Sequence, residues 1–264
     1  MASWEQPPPV PILHPHLCIL NWNIAKQNYQ LGWQQEFQAI LRLYDPHLVF
    51  FQEASLKWSG LDQIWASQAG AMLPALNWHF TPNVMNQRRR MASGLLTAST
   101  AESISQVCLH SHHREPLIKT PKAALITEYP IAGMTSTLLA INIHGINYVR
   151  SHQFEAQIHQ MEAAISDHQG PLILAGDFNT WRPKRMQILL DCTMRLSLQQ
   201  VTFSPSCHQQ LKRFLGSDPL DHVFYRGLQL DSQRTKVLGN FTSSDHTPMV
   251  VTFEIPGSKT VQGV

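Results

Sequence analysis

The chain has 264 residues, long enough for one large domain or two small ones and for a sizeable core. With 43% apolar and only 14% charged residues, it carries the reverse of the disorder signature, so an ordered globular protein is expected. A formal charge of +2 with fourteen neutral histidines gives a weak field that mild acid would strengthen, so charge alone does not argue for nucleic-acid binding.

Residues 1–16 read as a proline-rich leader, with Pro7-Pro8-Pro9 and Pro11. It lacks the basic region and apolar stretch of a secretory signal. No apolar run elsewhere approaches the roughly 20 residues needed to span a bilayer, so no integral membrane segment is expected. Cys18, Cys108, Cys192 and Cys207 are far apart and form no CxxC pair or zinc-ligand spacing, so they read as reduced thiols. Together these features predict a cytoplasmic protein.

After the leader, Leu17 to Trp22 is a buried-strand candidate ending in polar Asn23. Trp33, Phe37, Ile40, Leu41 and Tyr44 recur near helical spacing, and Asp45-Pro46 supplies a stop. Leu48 to Phe51 reads as the next strand, delivering Gln52-Glu53 at its end. The run Arg88-Arg89-Arg90 could contact phosphates electrostatically but reads more simply as a solvated loop or face. Gly94 to Leu96, Ala123 to Ile126, Leu138 to Ile143, Leu172 to Leu174, Val223 to Tyr225 and Met249 to Phe253 predict further strands. The clearest remaining helix is Ser151 to Asp167, with Phe154, Ile158, Met161 and Ile165 on one side. Alternating strands and helices predict an α/β protein, with one domain over residues 17–256 and a tail over 257–264.

The sharpest local signal is the apolar strand from Leu172 that abruptly presents Gly176, Asp177 and Asn179. Glycine permits close backbone approach, an aspartate can orient or deprotonate water, and an asparagine can hold that water or a phosphate oxygen. The same residues also suit a turn with an Asx hydrogen bond. Other apolar strands end in groups suited to metal and phosphate: Asn23, Glu53 and His144 in one half of the chain, then Asp221 and Asp245-His246 in the other. Individually Glu53 can cap a helix and His144 can be a satisfied core histidine, but six such coincidences in fixed order point to chemistry.

In that order the residues resemble the endonuclease/exonuclease/phosphatase superfamily, the DNase I-like fold, and in finer detail its bacterial YafD-like branch. The finer likeness lies in Asn21-Trp22-Asn23-Ile24, Arg114-Glu115-Pro116, Asn142-Ile143-His144, and Gly170-Pro171 leading to Ala175-Gly176-Asp177-Phe178-Asn179. It continues in Leu220-Asp221 followed by Val223 to Gly227. The resemblance implies a four-layer α/β sandwich of two packed mixed β-sheets flanked by helices. It also implies a Mg²⁺ or Mn²⁺ held by Glu53, with Asn23 and Asp245 close to it; these are oxygen donors, which suit hard cations.

By the same resemblance, Asp177 and Asn179 position the attacking water, His144 and His246 stabilise the charged phosphoryl group, and Asp221 orients His246. Either Asp177 or His246 can serve as base. Some nucleases of the superfamily pair the histidine equivalent to His144 with a carboxylate, and the sequence offers none near Ser93-Gly94. Tyrosine usually replaces that histidine in abasic-site endonucleases, so a specialised repair role is disfavoured. Arg114 and Lys122 are candidates for a substrate phosphate or ordinary surface cations. Trp22, Trp181 and Tyr148 are candidates for stacking on a base or sugar, or for core and rim packing. His110, His112 and His113 read as a polar loop. The leading expectation is a metal-dependent phosphodiesterase acting on DNA or RNA. The alternatives are a hydrolase of a small phosphorylated metabolite, inositol phosphate or lipid headgroup, and a non-catalytic binding module.

Overall fold

The structure, a computed structural model, describes residues 11–57, 76–117 and 119–257. Most of the expected leader and tail, residues 1–10 and 258–264, therefore lie outside the described residues. Twelve described strands form two six-stranded sheets. The first has the order β11-β12-β1-β2-β4-β3, from strands Gln229–Val237, Met249–Glu254, His16–Asn23, Leu48–Lys57, Met91–Ser99 and Asn77–Asn86. The second has the order β5-β6-β7-β8-β10-β9, from Ser105–His110, Ala123–Pro130, Thr137–His144, Leu172–Asp177, Asp221–Arg226 and Gln199–Gln200. Among the described residues the helices are α1 (Leu31–Tyr44), α2 (Ser151–Ile165) and α3 (Pro183–Arg195), with the single turn α4 (Pro205–His208) and a 3-10 turn at Gln27–Tyr29.

The layering follows from period-two alternation in strands buried on both faces. In β1, Leu17 and Ile19 point into the core between the sheets, whereas Cys18, Leu20 and Trp22 meet α1 through Trp33, Phe37 and Ile40. In β7 and β8, Ala140, Ile173 and Ala175 face the central core, while Ile141, Ile143, Leu172 and Leu174 meet Phe154, Ile158 and Leu189 from α2 and α3. The result is helix, sheet, sheet, helix, as the family resemblance implied.

Several expectations change. The ordered body begins before residue 17: Leu13 is fully buried, bridges to Ile131 and hydrogen-bonds Pro130, while Pro15 accepts from the Ile255 amide at 2.8 Å. Only an apolar residue could fill that core position, and Leu13 sits among prolines that mask it. Strand β2 does not stop at Glu53. It continues to Lys57 through a one-residue bulge, with Phe51 opposite Leu96 but Ala54 opposite Gly94. Trp22 is wholly buried and stacks on Trp33 with ring centroids 5.6 Å apart, so it packs the core and meets no substrate. His110 ends β5 instead of lying in a loop, with Nε2 2.9 Å from the Pro82 carbonyl. The three consecutive arginines do occupy an exposed turn between β3 and β4.

Candidate active site

Parallel pairing sets β7 beside β8 with His144 opposite Asp177, and antiparallel pairing sets Asp221 of β10 opposite Asp177. Two strand registers thus bring three candidate residues to one sheet end. Gly176 permits this approach: its φ is +155°, and a Cβ there would stand 1.9 Å from the Ile143 carbonyl oxygen. Across the sandwich, β1 ends at Asn23, and the β2 bulge presents Glu53 at a φ of +54°. That strained backbone is held by Ile24 and Lys26 amides donating to the Gln52 and Glu53 carbonyls, both at 3.0 Å. The loop before β12 carries His246, whose carbonyl accepts the Trp22 indole N–H at 2.9 Å, while Ser244 Oγ donates to the Asn23 carbonyl at 2.7 Å.

Asp177 is the centre of the arrangement. Its Oδ1 accepts the Asn179 backbone amide and its Oδ2 the Asn23 side-chain amide, both at 2.9 Å. His144 Nε2 lies 3.4 Å from Oδ2 and His246 Nε2 lies 3.8 Å from it. His246 Nδ1 donates to Asp221 Oδ2 at 2.7 Å, so Nε2 is left facing the cleft. Burial pulls the His246 imidazolium down, but Asp221, Asp177 and Asp245 outweigh it and hold its pKa up at about 10. His144 goes the other way: burial and the Lys122 ammonium push it down to about 3 against the pull of Asp177. Burial thus favours the neutral form of His144, while the surrounding aspartates favour the charged form of His246. The carboxylates facing His144 are Asp177 and, at 4.0 Å, Glu53; they come from β8 and β2, not from the Ser93-Gly94 strand.

Glu53 is partly exposed in the cleft, 3.2 Å from Lys26 Nζ and 3.9 Å from Lys122 Nζ. Two sets of groups compete as a metal site. Asp177, Asp221 and His246 place ligand atoms within 4.8 Å of one another. In that group His246 Nδ1 is already bonded to Asp221 Oδ2 at 2.7 Å, and both Asp177 oxygens already accept amide N–H groups at 2.9 Å. Glu53, Asn23 and Asp245, the set the resemblance implied, line the same cleft and offer oxygens, the donor type hard divalent ions take, although Asn23 Oδ1 already accepts the Ala25 amide at 3.0 Å. Asp245 is exposed and pairs with Lys212 at 3.1 Å, so it stands at the rim.

Lys122 is buried in the cleft wall, 3.7 Å from Glu115 Oε1. Arg114 is not among the cleft-lining residues: it is exposed and donates to the Lys119 carbonyl at 3.0 Å. Trp181, Tyr148 and Phe214 line one side of the cleft, which encloses about 700 Å³. Sequence reasoning missed Lys26, Glu115, Asn147 and Lys212 as cleft residues. The first and third follow Asn23 and His144 by three positions, and Glu115 lies inside a motif already singled out, so proximity to the motifs was the available signal.

The sequence profile of the Endonuclease/Exonuclease/phosphatase family matches residues 20–246, a span that begins in β1 and ends at His246. The chain belongs to that family. A UPF0294 protein of Vibrio campbellii is 33% identical over 245 residues, covering 90% of this chain and 78% of the relative. The fold matches an endonuclease/exonuclease/phosphatase from Beutenbergia cavernae with a TM-score of 0.69 at 16% identity, covering 92% of this chain and 72% of that one. It also matches the human Nocturnin catalytic domain, described with a bound sulfate anion, with a TM-score of 0.64 at 16% identity, over 92% of this chain and 96% of that one. The family acts on phosphate esters, and membership of it supports a phosphoesterase. Among the described residues, no helix is long and apolar enough to cross a membrane.

Proposed function

We propose that the chain is a metal-dependent phosphodiesterase that cleaves by in-line attack of water, with nucleic acid the first substrate class to test. The observation that carries this reading is Asp177, a buried carboxylate facing both His144 and His246 within 4 Å beside the cleft. A carboxylate held in this way supplies the base for water. His246 is already protonated at neutral pH, so it offers an Nε2–H and a positive charge to a phosphoryl oxygen. His144 contributes a hydrogen bond without charge. The water oxygen bonds to phosphorus as its proton passes to Asp177; the bond from phosphorus to the ester oxygen breaks, and that oxygen takes a proton from solvent. Glu53, Asn23 and Asp245 would hold Mg²⁺ or Mn²⁺, which when bound polarises a non-bridging phosphate oxygen. Lys26 and Lys122 flank Glu53 and attract the phosphate as point charges.

The size of the cleft favours a second reading. A volume of about 700 Å³ falls in the range of small-ligand sites, which suits a phosphorylated metabolite or headgroup. One assay separates the two: the purified full chain with Mg²⁺ or Mn²⁺ against DNA, RNA, bis(p-nitrophenyl) phosphate, p-nitrophenyl phosphate and sphingomyelin. Diesters should be cleaved in preference to the monoester, and a strong chelator should stop the reaction. Efficient monoester hydrolysis with DNA, RNA and the simple diester left intact would overturn the first reading in favour of a metabolite phosphatase.

A further inference from the structure

Asn147 lies in the loop between β7 and α2 and has no assigned role, yet it hydrogen-bonds to more cleft residues than its position suggests. Its Oδ1 accepts the Trp181 indole N–H and the Tyr148 backbone N–H, both at 2.8 Å. Its Nδ2 donates to Asn179 Oδ1 at 2.7 Å, and its own backbone N–H donates to Glu115 Oε1 at 2.9 Å. Glu115 in turn stands 3.7 Å from Lys122, so the Asn147 loop connects Asn179 and Trp181 to Glu115 and Lys122.

These bonds leave no freedom in how the amides point. An indole N–H and a backbone N–H only donate, so Asn147 must turn its carbonyl oxygen to them and its NH₂ to Asn179. Asn179 must then present Oδ1 to Asn147. Its Nδ2 donates to the Gly145 carbonyl at 3.0 Å, a group that only accepts. One Asn179 N–H is left over. A lone asparagine could hold either water or a phosphate oxygen, but this one has its acceptor occupied and a donor to spare.

We infer that Asn147 is a positioning residue that fixes the Asn179 amide as a hydrogen-bond donor toward a phosphoryl oxygen. The inference rests on the phosphoesterase reading above. It goes beyond that reading in giving Asn179 a phosphoryl contact and assigning its orientation to Asn147, three positions beyond His144. Asn147→Asp is the informative change, because it keeps an oxygen for Trp181 and Tyr148 while setting an acceptor against Asn179 Oδ1. The Asn179 amide must then rotate, offering its oxygen to the cleft and losing the Gly145 bond.

The test is a mutant cycle on bis(p-nitrophenyl) phosphate, with an NMR titration of the ¹⁵N-labelled full chain by inorganic phosphate. Asn147→Asp should lower kcat by about 10²-fold, the loss typical of one transition-state donor, with KM little changed. In an Asn179→Ala background the same change should cost nothing further. Phosphate should move the Asn179 side-chain amide resonances in the unaltered protein and move them several-fold less in Asn147→Asp, while the Trp181 indole resonance stays in its hydrogen-bonded range. Full additivity of the two substitutions, or equal phosphate shifts in both proteins, would overturn the inference. Resonances that phosphate moves in neither protein would remove the Asn179 contact itself and overturn this inference, while the phosphodiesterase reading is decided by its own assay.

Discussion

Asp221 and His246 are joined by a 2.7 Å bond between buried partners, and the aspartate is one of the charges holding the histidine pKa up at about 10. A group whose pKa is raised on folding stabilises the fold fully below its unfolded value near 6.5, and that contribution is lost as pH rises through about 10. The rate should therefore show no titration of His246 between pH 6 and 9. Asp221→Asn removes the nearest counter-charge, so an alkaline limb should appear closer to neutrality and kcat should fall about 10²-fold or more. The double variant Asp221→Asn with His246→Ala should be no worse than His246→Ala alone, because both changes disable one unit. Strictly additive losses in that cycle, or an unmoved pH profile, would mean that the two act independently. The sequence named both residues, but their pairing depends on a loop folding back across 25 positions, which no local pattern encodes.

At the scale of elements, the two sheets are locked beneath the site by buried amides. Gln52 Nε2 of β2 donates to Asn21 of β1 at 3.0 Å and to Asn142 of β7 at 2.8 Å. Asn142 Nδ2 reaches the Leu96 carbonyl at 3.0 Å and the Phe51 carbonyl at 3.2 Å, beside the bulge that presents Glu53. Asn142→Ala removes one of the two partners of Gln52 Nε2 and the side-chain donor to both carbonyls, and should cost about 2–4 kcal/mol by urea unfolding. A change below about 1 kcal/mol would mean that the sheets are held by apolar packing alone. The central strands were legible because both of their faces are buried and they read as continuous apolar runs. Strands β3, β5 and β11 were not, because they form sheet edges: β5 and β11 are largely solvent-facing, and β3 carries Pro82 beside a register shift. The bulge at Glu53 was hidden for another reason. It arises from pairing with β4, while the local sequence simply turns polar.

Across the whole molecule, a divalent ion that binds only the folded chain stabilises it by mass action, about 2.7 kcal/mol at one hundred times its Kd. Saturating Mg²⁺ should raise Tm by roughly 5–10 °C. Glu53→Gln should abolish most of that rise and the hydrolytic rate together, since it removes the cleft carboxylate while nearly preserving its shape. A Tm gain and an activity that survive this change would move the metal to the Asp177, Asp221 and His246 group. The sequence by itself determined the alternation of strands and helices, the central layers, and the identity and order of the polar residues at strand ends, because periodicity and strand-end chemistry are local properties. Only the tertiary structure decided which of those residues meet. Strand register set Asp177 against both His144 and Asp221, a bulge turned Glu53 into the cleft beside two lysines, and burial left His144 neutral while three aspartates kept His246 charged. Register, burial and charge proximity each depend on residues far apart in the chain, so no reading along the chain could supply them.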